Sequence, residues 1–385
     1  MTDSPIPRQR FHVLLWLLAI LLGLLWTWRA CYALIDPDSI AYLEMGAAFL
    51  RRDWPMALNA YWSPLYPWLL AGALYVLQPP LAWHFALVPL VDFAVYLGML
   101  GCFHFFVREV LSLHRAKRAA CASSQSVQLP EWAVVVIAYT LFLWTSLDWL
   151  GSFVSPADRC VAAFVYVAAS LLVRMRAASG TWGTFILFGV VLGGGYLAKA
   201  VMFPLALLFL ASSIFLSGPF RRNVWRGLAA CIVFLVIASP WMLALSKAKG
   251  YFTFGLVGKL SYAWYVNRVG AIRHIHWQGE PSGSGTPRHP TRKLFDRPAI
   301  YEFATPIGGS YPPWYDSTYW YEGVTLHFAP KEQMQVLLHN IEVFCKISPL
   351  AQGALMTGFL ILCMMAGPPW HRVKELAHQG SILLP

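Results

Sequence analysis

The sequence predicts an all-α polytopic membrane protein with about eight transmembrane helices. Hydrophobic residues make up 58% of the 385 residues, charged residues make up only 12%, and the mean hydropathy is +0.54. Soluble domains carry about 25% charged residues. Apolar runs of about twenty residues, which is the length that crosses a bilayer, recur along the chain.

The apolar runs give the predicted spans in order. They cover approximately residues 11–33, 81–106, 131–149, 157–173, 182–199, 200–217, 225–245 and 347–366. The first run leads into Trp26, Trp28 and Arg29 without a small-residue cleavage site, which indicates a retained helix rather than a removed signal peptide. The fifth and sixth runs almost touch near Lys199 and Pro204, so the pattern fits two helices or one long kinked helix.

Basic residues follow alternate spans, and this arrangement predicts the orientation. With eight spans, the basic clusters all fall on one side of the membrane, which the positive-inside rule makes cytoplasmic together with the N-terminus. The formal net charge of +11 therefore reflects topology signals and does not indicate a nucleic-acid partner. The clusters are Arg8 with Arg10, Arg108 with Arg115, Lys117 and Arg118, Arg174 with Arg176, Arg221 with Arg222 and Arg226, and Arg372 with Lys374.

Two large segments then fall on the outer side. The first, 34–80, contains an amphipathic stretch at 40–52 and an apolar stretch at 64–78, which is too short to span and predicts a surface-lying helix. The second, 246–346, is rich in Gly, Pro, Trp and Tyr. The chain thus divides into a transmembrane core with its first outer loop (1–245), the long outer loop (246–346), and a last helix with a cytoplasmic tail (347–385).

Acidic residues gather on the outer side. Asp36 and Asp38 come just after the first span, Glu44 follows them, and Asp158 begins the fourth span. A pair of carboxylates at a membrane boundary is a candidate for chemistry on a lipid-borne substrate, although a solvated loop is the simpler reading. Asp92 lies at membrane depth, where pairing with a neighbouring helix is the commonest explanation.

Cations and aromatic residues supply the remaining candidates. Lys199 stands at the outer end of an apolar run, where it either snorkels to the surface or meets a lipid phosphate. Gly193, Gly194 and Gly195 precede it and permit close helix approach. In the long loop, the cations are Arg268, Arg273, His274 and His276.

Aromatic side chains crowd residues 311–321 of the long loop, among them Trp314, Tyr315 and Trp320. They fit either an interfacial belt or a platform on which sugar rings stack. The seven cysteines include no C-x-x-C pair, so the sequence indicates neither a zinc knuckle nor a disulfide framework.

Three segments in this order resemble a known family. DPDSIAYLEMGAAFLRRDW at 36–54 is followed by SPLYPWLLAGALY at 63–75, and YLAKAVMFPLALLF comes later at 196–209. This arrangement is similar to the GT-C superfamily of integral-membrane glycosyltransferases. The likeness is strongest to the bacterial protein-mannosyltransferase-like and aminoarabinose-transferase-like branch, and it covers roughly the first 245 residues.

The resemblance implies a GT-C-like bundle in the bacterial inner membrane. It implies transfer of a sugar from a polyprenyl-phosphate donor, with inversion, to a lipid, glycan or protein acceptor at a periplasmic active site. The family's acid falls on Asp38, with Asp36 second, and acts as general base or helps to hold a metal. Lys199 matches the family's lysine and, with Arg273, is expected to bind the donor phosphate. The loose match of Asp158 leaves it as an acceptor-binding residue.

Other roles complete these expectations. Tyr42, Glu44, Trp314, Tyr315 and Trp320 are the further residues expected to bind acceptor or sugar. No cofactor is required by the pattern, and a divalent metal is left open, with Asp36 and Asp158 as its carboxylate ligands. The chain ends soon after its eighth predicted span, which makes it short for the family and raises the possibility of a partner subunit. The alternatives are a transporter or flippase and a non-catalytic membrane subunit.

Overall fold

The computed structural model describes residues 8–31, 37–120, 131–149, 157–178, 180–216, 219–269, 292–302 and 325–346. These parts of the chain are mostly helical. This is consistent with the predicted all-α membrane protein. The described residues also contain one short antiparallel hairpin, formed by β1 (Arg292–Asp296) and β2 (Ala299–Glu302). Phe295, Ile300 and Tyr301, which have high strand propensity, lie on the two sides of a turn that contains Pro298.

The helices are numbered in chain order. They are α1 (Arg8–Ala30), α2 (Pro37–Arg51), α3 (Trp54–Ala57), α4 (Leu65–Leu77), α5 (His84–Ala120), α6 (Glu131–Trp144), α7 (Ala157–Ala178), α8 (Trp182–Ala198), α9 (Met202–Ile214), α10 (Phe220–Lys249), α11 (Val257–Ser261) and α12 (330–346). Single π-helical turns follow α6 at Thr145–Trp149 and α11 at Tyr262–Val266.

Four helices are long and apolar enough to cross a membrane: α1, α5 with the turn before it, α7 and α10. The predicted spans at 131–149, 182–199 and 200–217 correspond to apolar helices that are shorter than this length, namely α6, α8 and α9. The predicted span at 347–366 lies outside the described residues. Among the residues that the structure describes, four of the eight predicted spans therefore correspond to helices long enough to cross a membrane.

The boundary near Lys199 is a true break between two helices. Helix α8 ends at Ala198, Lys199 is extended, and α9 begins at Met202. Pro204 falls within the first turn of α9, where its missing N–H breaks no helical hydrogen bond. The alternative of one long kinked helix is therefore wrong.

Helix α7 lies between the two largest hydrophobic clusters. One cluster contains residues of α2, α4, α8, α9 and α10, and α7 contributes Cys160, Ala168 and Leu171 to it. The other joins α1, α5 and α6, and Tyr166 packs against it from the opposite side of α7. Helix α7 also packs along much of α5. Whatever fixes α7 therefore fixes both halves of the bundle.

The two stretches of the first outer loop form helices, as predicted. Pro37 occupies the first position of α2, where proline is favoured, and Asp38 lies in its first turn, where a negative charge is favoured by the helix dipole. Helix α4 packs mainly against α2 and also contacts α5. Its exposed side chains include Tyr75 and Val76, whereas Tyr66 and Leu70 are fully buried.

Small residues let α8 approach its neighbours closely. A Cβ atom added at Gly189 would lie 2.3 Å from the carbonyl oxygen of Ala230, and one at Gly193 would lie 2.7 Å from the Cβ of Ile237, both on α10. Glycines four residues apart on one helix face are a common packing motif of membrane helices. The prediction of close approach at Gly193 is confirmed, and Gly189 extends it by one turn.

Replacement of Gly189 by alanine tests this contact. We expect Gly189→Ala to lower the free energy of unfolding by about 1–3 kcal/mol, because the clash is with backbone and one of the two helices must move. The control is Gly183→Ala on the same helix, where the nearest atom is 3.9 Å away. Thermal unfolding of the detergent-solubilised variants measures the difference, and equal stabilities would contradict the packing described.

Candidate functional site

Two consecutive residues in the first turn of α7 make ion pairs with two different helices. Asp158 pairs with Lys199 at the end of α8, and Arg159 pairs with Asp92 of α5. Consecutive helical residues point about 100° apart, so one turn of α7 can reach both neighbours. We call this end of the bundle the site end. It comprises the first turns of α2 and α7, the end of α8, and the loops 58–64 and 250–256.

The Asp158–Lys199 pair is open to solvent. Lys199 Nζ lies 2.5 Å from Asp158 Oδ1, and the two side chains are 32% and 22% exposed. The extended backbone of Lys199 follows directly from the break between α8 and α9, and its amide still donates to the carbonyl of Gly195. The ammonium has three N–H donors, so a ligand can contact it while Asp158 retains one.

The Arg159–Asp92 pair is buried. The Arg159 guanidinium donates to Asp92 Oδ2 and to the carbonyl oxygen of Ser146, and its carbon lies 4.7 Å from the ring centroid of Trp26. Asp92 and Arg159 are 6% and 1% exposed. This pair connects α1, α5, the turn after α6, and α7. The pairing also shows that Asp92 is held by a neighbouring helix, the commonest explanation for an acid at that depth.

Burial separates the roles of the two pairs. Solvent-exposed ion pairs contribute only about 0.2–1 kcal/mol to stability. A buried pair that loses one partner costs about 3–5 kcal/mol, because the other charge is left without compensation. Arg159 and Asp92 therefore hold the bundle, whereas the partly exposed Lys199–Asp158 pair is expected to cost less when one partner is changed.

Asp38 lies near Tyr61 at the same end. Burial raises the pKa of the Tyr61 phenol to about 12, and the negative charge of Asp38, followed by Tyr265, adds to the shift. Such an effect requires charges a short distance apart. Tyr61 therefore remains protonated at neutral pH.

Hydrogen bonds connect the loops of the site end. The side chain of Asn59 accepts from the amides of Tyr61 and Trp62, which fixes the loop before α4 in a tight turn. The amide of Leu256 donates to the carbonyl of Ala60. The loop 250–256 therefore joins the loop beside Asp38 to the helix break beside Lys199.

Gly255 allows the loop 250–256 to lie close to the helix break beside Lys199. A Cβ added at Gly255 would lie 3.0 Å from the Cβ of Ala200, and its φ of +137° is a conformation that other residues rarely adopt. On the other side of the loop, the hydroxyl of Tyr196 donates to the carbonyl of Phe254. The loop is therefore held on both sides of the break at 199–201.

The structure brings together some of the predicted site residues and assigns others to packing. Asp158 and Lys199 are in direct contact, and Asp38 lies at the same end of the bundle. Tyr42 is 1% exposed and packs against the rings of Trp62 and Tyr66, which favours a structural role over the predicted sugar contact.

Glu44 lies in the middle of α2 with its Oε2 atom buried. The remaining predicted residues, Asp36, Arg273, Trp314, Tyr315 and Trp320, lie outside the described residues. Among the residues that the structure describes, no group of three His, Cys, Asp or Glu side chains is arranged to hold a metal ion. Asp158, which the sequence left open as a metal ligand, pairs with Lys199.

Sequence reasoning missed two residues of this end. Arg159 has the same signal as Asp158, namely a charge at the start of an apolar run, and Asp92 in an earlier run supplies a matching opposite charge. Tyr61 has no distinctive signal, because its burial and its nearness to Asp38 arise only from tertiary packing.

Comparisons with known proteins add no relative. No protein-family model matches the chain. Neither the curated proteins nor the solved structures provide a match. In the part of the chain that it describes, the structure is mostly helical and has four helices long and apolar enough to span a membrane.

Substitution of the buried pair tests its structural role. We expect Asp92→Asn or Arg159→Met alone to lower the free energy of unfolding by about 3–5 kcal/mol. The matched control is Glu109→Gln, which breaks the exposed pair of Glu109 with Arg174 between the same two helices and should cost less than about 1 kcal/mol.

The double variant Asp92→Leu with Arg159→Met should recover most of the loss, because no charge remains buried. Unfolding by heat or denaturant in detergent measures all four variants. Single substitutions as mild as Glu109→Gln would show that the buried pair does not hold the bundle.

Proposed function

We propose that this chain is an integral-membrane glycosyltransferase. It moves a sugar from a polyprenyl-phosphate donor to a lipid, glycan or protein acceptor at the outer face of the bacterial inner membrane. The carrying observation is the partly exposed Lys199–Asp158 pair at the same end of the bundle as Asp38.

A lysine in this position suits a lipid phosphate. Lys199 stands where α8 stops, so its ammonium lies at the end of an apolar helix, the level at which a lipid headgroup meets water. Asp158 holds the ammonium in one orientation and leaves two N–H donors for phosphate oxygens.

The phosphate of the donor gains negative charge during the reaction, and Lys199 is a cation that can stabilise this charge. The donor phosphate is a diester with one negative charge, and it leaves as a monoester that gains a second. Lys199 therefore attracts the leaving group more strongly in the transition state than in the bound donor, which is the condition for catalysis.

Asp38 is the proposed general base. Its carboxylate takes the proton from the acceptor hydroxyl while the acceptor oxygen forms its bond to the anomeric carbon. The bond between that carbon and the phosphate oxygen breaks on the opposite face, so the configuration inverts. Tyr61, which stays protonated beside Asp38, can donate a hydrogen bond to the acceptor oxygen or to a sugar hydroxyl.

Transfer assays on purified protein test this proposal. The protein is incubated in liposomes with radiolabelled polyprenyl-phosphate sugars, and transfer to added lipid or glycan acceptors is measured. We expect Asp38→Asn to lower transfer about 10²–10⁴-fold and Lys199→Met about 10²–10³-fold. Both variants should keep thermal stability within about 1 kcal/mol of the original chain.

Control variants locate the effect. Asp53→Asn removes a carboxylate that caps the short helix α3, and Lys259→Met removes a lysine that lies over Tyr251; both should transfer normally. Full activity of Asp38→Asn would refute the assignment of the base. Scrambling or uptake of the labelled lipid without transfer would favour the carrier alternative instead.

A further inference from the structure

Helix α12 carries an apolar stripe along one face. The residues of the stripe lie three or four positions from one another along the helix, which places them on the same side. They are Met334, Leu337, Leu338, Ile341 and Phe344, and each is between 51% and 64% exposed. A contiguous apolar face that stays exposed marks a surface for contact with a protein or a membrane.

The opposite face of α12 is mainly polar and lies toward the protein. Glu332, Gln335, Val336 and His339 are on this face, and they line a cleft against the turn after α11. A helix of a soluble protein normally directs its apolar stripe to the core and its polar face to water. In α12 this arrangement is reversed, so the apolar stripe is directed outward.

Hydrogen bonds fix the start of α12 in this orientation. The side-chain amide of Asn267 donates to the carbonyl oxygen of His327, and its oxygen accepts from the amide of the same residue. The amide of Ala329 donates to the hydroxyl of Tyr262 at 3.0 Å. These bonds attach the start of α12 to the turn after α11.

The charged residues of α12 exclude a transmembrane orientation. Lys331 and Glu332 lie at its start, and Glu342 and Lys346 lie near its end. The stretch 333–341 between them is far shorter than the ~20 apolar residues that cross a membrane. An amphipathic helix of this kind instead lies in the plane of the membrane interface, with its apolar face among the acyl chains.

Both neighbouring segments of the chain keep α12 close to the membrane. The apolar run 347–366, which the sequence predicts as a span, begins directly after α12 ends. On the other side, the chain enters the turn after α11 shortly beyond Lys249, the last residue of α10. Helix α10 is long and apolar enough to span the membrane. The bilayer is therefore the nearest apolar medium for the stripe.

Area and charge favour lipid over a second protein as the partner of the stripe. A stable protein interface takes about 20–30 residues and about 800 Å² from each partner, whereas the stripe offers five side chains. The two lysines and two glutamates of α12 cancel, so the helix has no net charge that attracts a charged partner. Insertion among acyl chains requires only the apolar stripe.

We propose that α12 is an interfacial helix and that the lipid bilayer is the partner of its apolar stripe. The stripe enters the leaflet at the site end, and the polar face stays in contact with protein and water. Because the charges of the helix cancel, it binds neutral and anionic membranes alike. The proposal does not rest on the proposed glycosyl transfer.

An interfacial α12 anchors part of the site end to the bilayer. Leu326, just before α12, packs against the small cluster of Leu260, Ala263 and Val269, and Tyr61 packs against the same cluster. The lipid contact of α12 therefore holds the turn after α11, and with it the loop 58–64, at a fixed depth relative to the membrane.

Nitroxide spin labels on the full chain in lipid nanodiscs test the proposal. The labels are attached to Leu338→Cys or Ile341→Cys, in a chain whose seven native cysteines have been replaced. Oxygen concentrates in hydrocarbon and a nickel chelate stays in water, so their collisions with a label report its depth. In phosphatidylcholine, both labels should lie about 5–10 Å into the boundary of headgroups and acyl chains. Added phosphatidylglycerol should leave this depth unchanged.

Matched controls are Glu342→Cys and Lys346→Cys, whose native side chains are 57% and 69% exposed outside the stripe. Labels at these positions should collide mainly with the nickel chelate. A thermal-unfolding scan of each labelled variant confirms that it is folded. Stripe labels as open to the nickel chelate as the controls overturn the proposal, and so does insertion that requires phosphatidylglycerol. Stripe labels shielded from both reagents also overturn it, because protein rather than lipid then covers the stripe.

Discussion

The buried pairing of Arg159 with Asp92 is the interaction on which the rest of the structure depends. It fixes the first turn of α7 against α5, while the same guanidinium contacts Trp26 of α1 and the carbonyl of Ser146. Because α7 lies between both large hydrophobic clusters, the position of this turn sets how the two halves of the bundle meet. It also sets the direction of Asp158, the preceding residue on the helix.

This arrangement places a rigid structural pair directly beside an adaptable one. The buried pair has strong reasons to remain intact, since either charge alone would be left in an apolar interior. The neighbouring Asp158–Lys199 pair is partly exposed and can exchange one partner for a ligand. In the proposed transferase, the buried pair would serve as the fixed scaffold and Lys199 as the cation that meets a charged lipid headgroup.

Length and composition sufficed to predict the helical, membrane-spanning character and the positions of most helices. Gly193 was correctly predicted as a close-packing residue, because glycine next to a long apolar run has few other uses. The number of spans was less predictable. Helices α6, α8 and α9 are apolar throughout, and an apolar sequence of 13–17 residues joined to its flanking residues has the same pattern as a full span.

Side-chain partners were beyond the reach of one sequence. Asp158, Lys199 and Asp92 were each recognised as unusual charges, but their partners lie 41 and 67 residues away and depend on which helices pack together. Tyr42 was expected to bind acceptor or sugar; it is buried, because the aromatic residues of 61–66 fold back over α2. The sequence pattern indicates where a charged residue lies along a helix, but only the packing of the helices determines which residue it contacts.

In the proposed transferase, Asp38 and Lys199 face one aqueous space on the outer side of the membrane. Labelling of the Asp38→Cys and Lys199→Cys variants with a membrane-impermeant maleimide tests it, in a chain whose seven native cysteines have been replaced. In intact cells with a permeable outer membrane, both variants should be labelled, whereas Arg174→Cys near the other end of α7 should react only after lysis. Labelling of Asp38→Cys and Lys199→Cys from opposite sides, or of both only after lysis, would contradict the account.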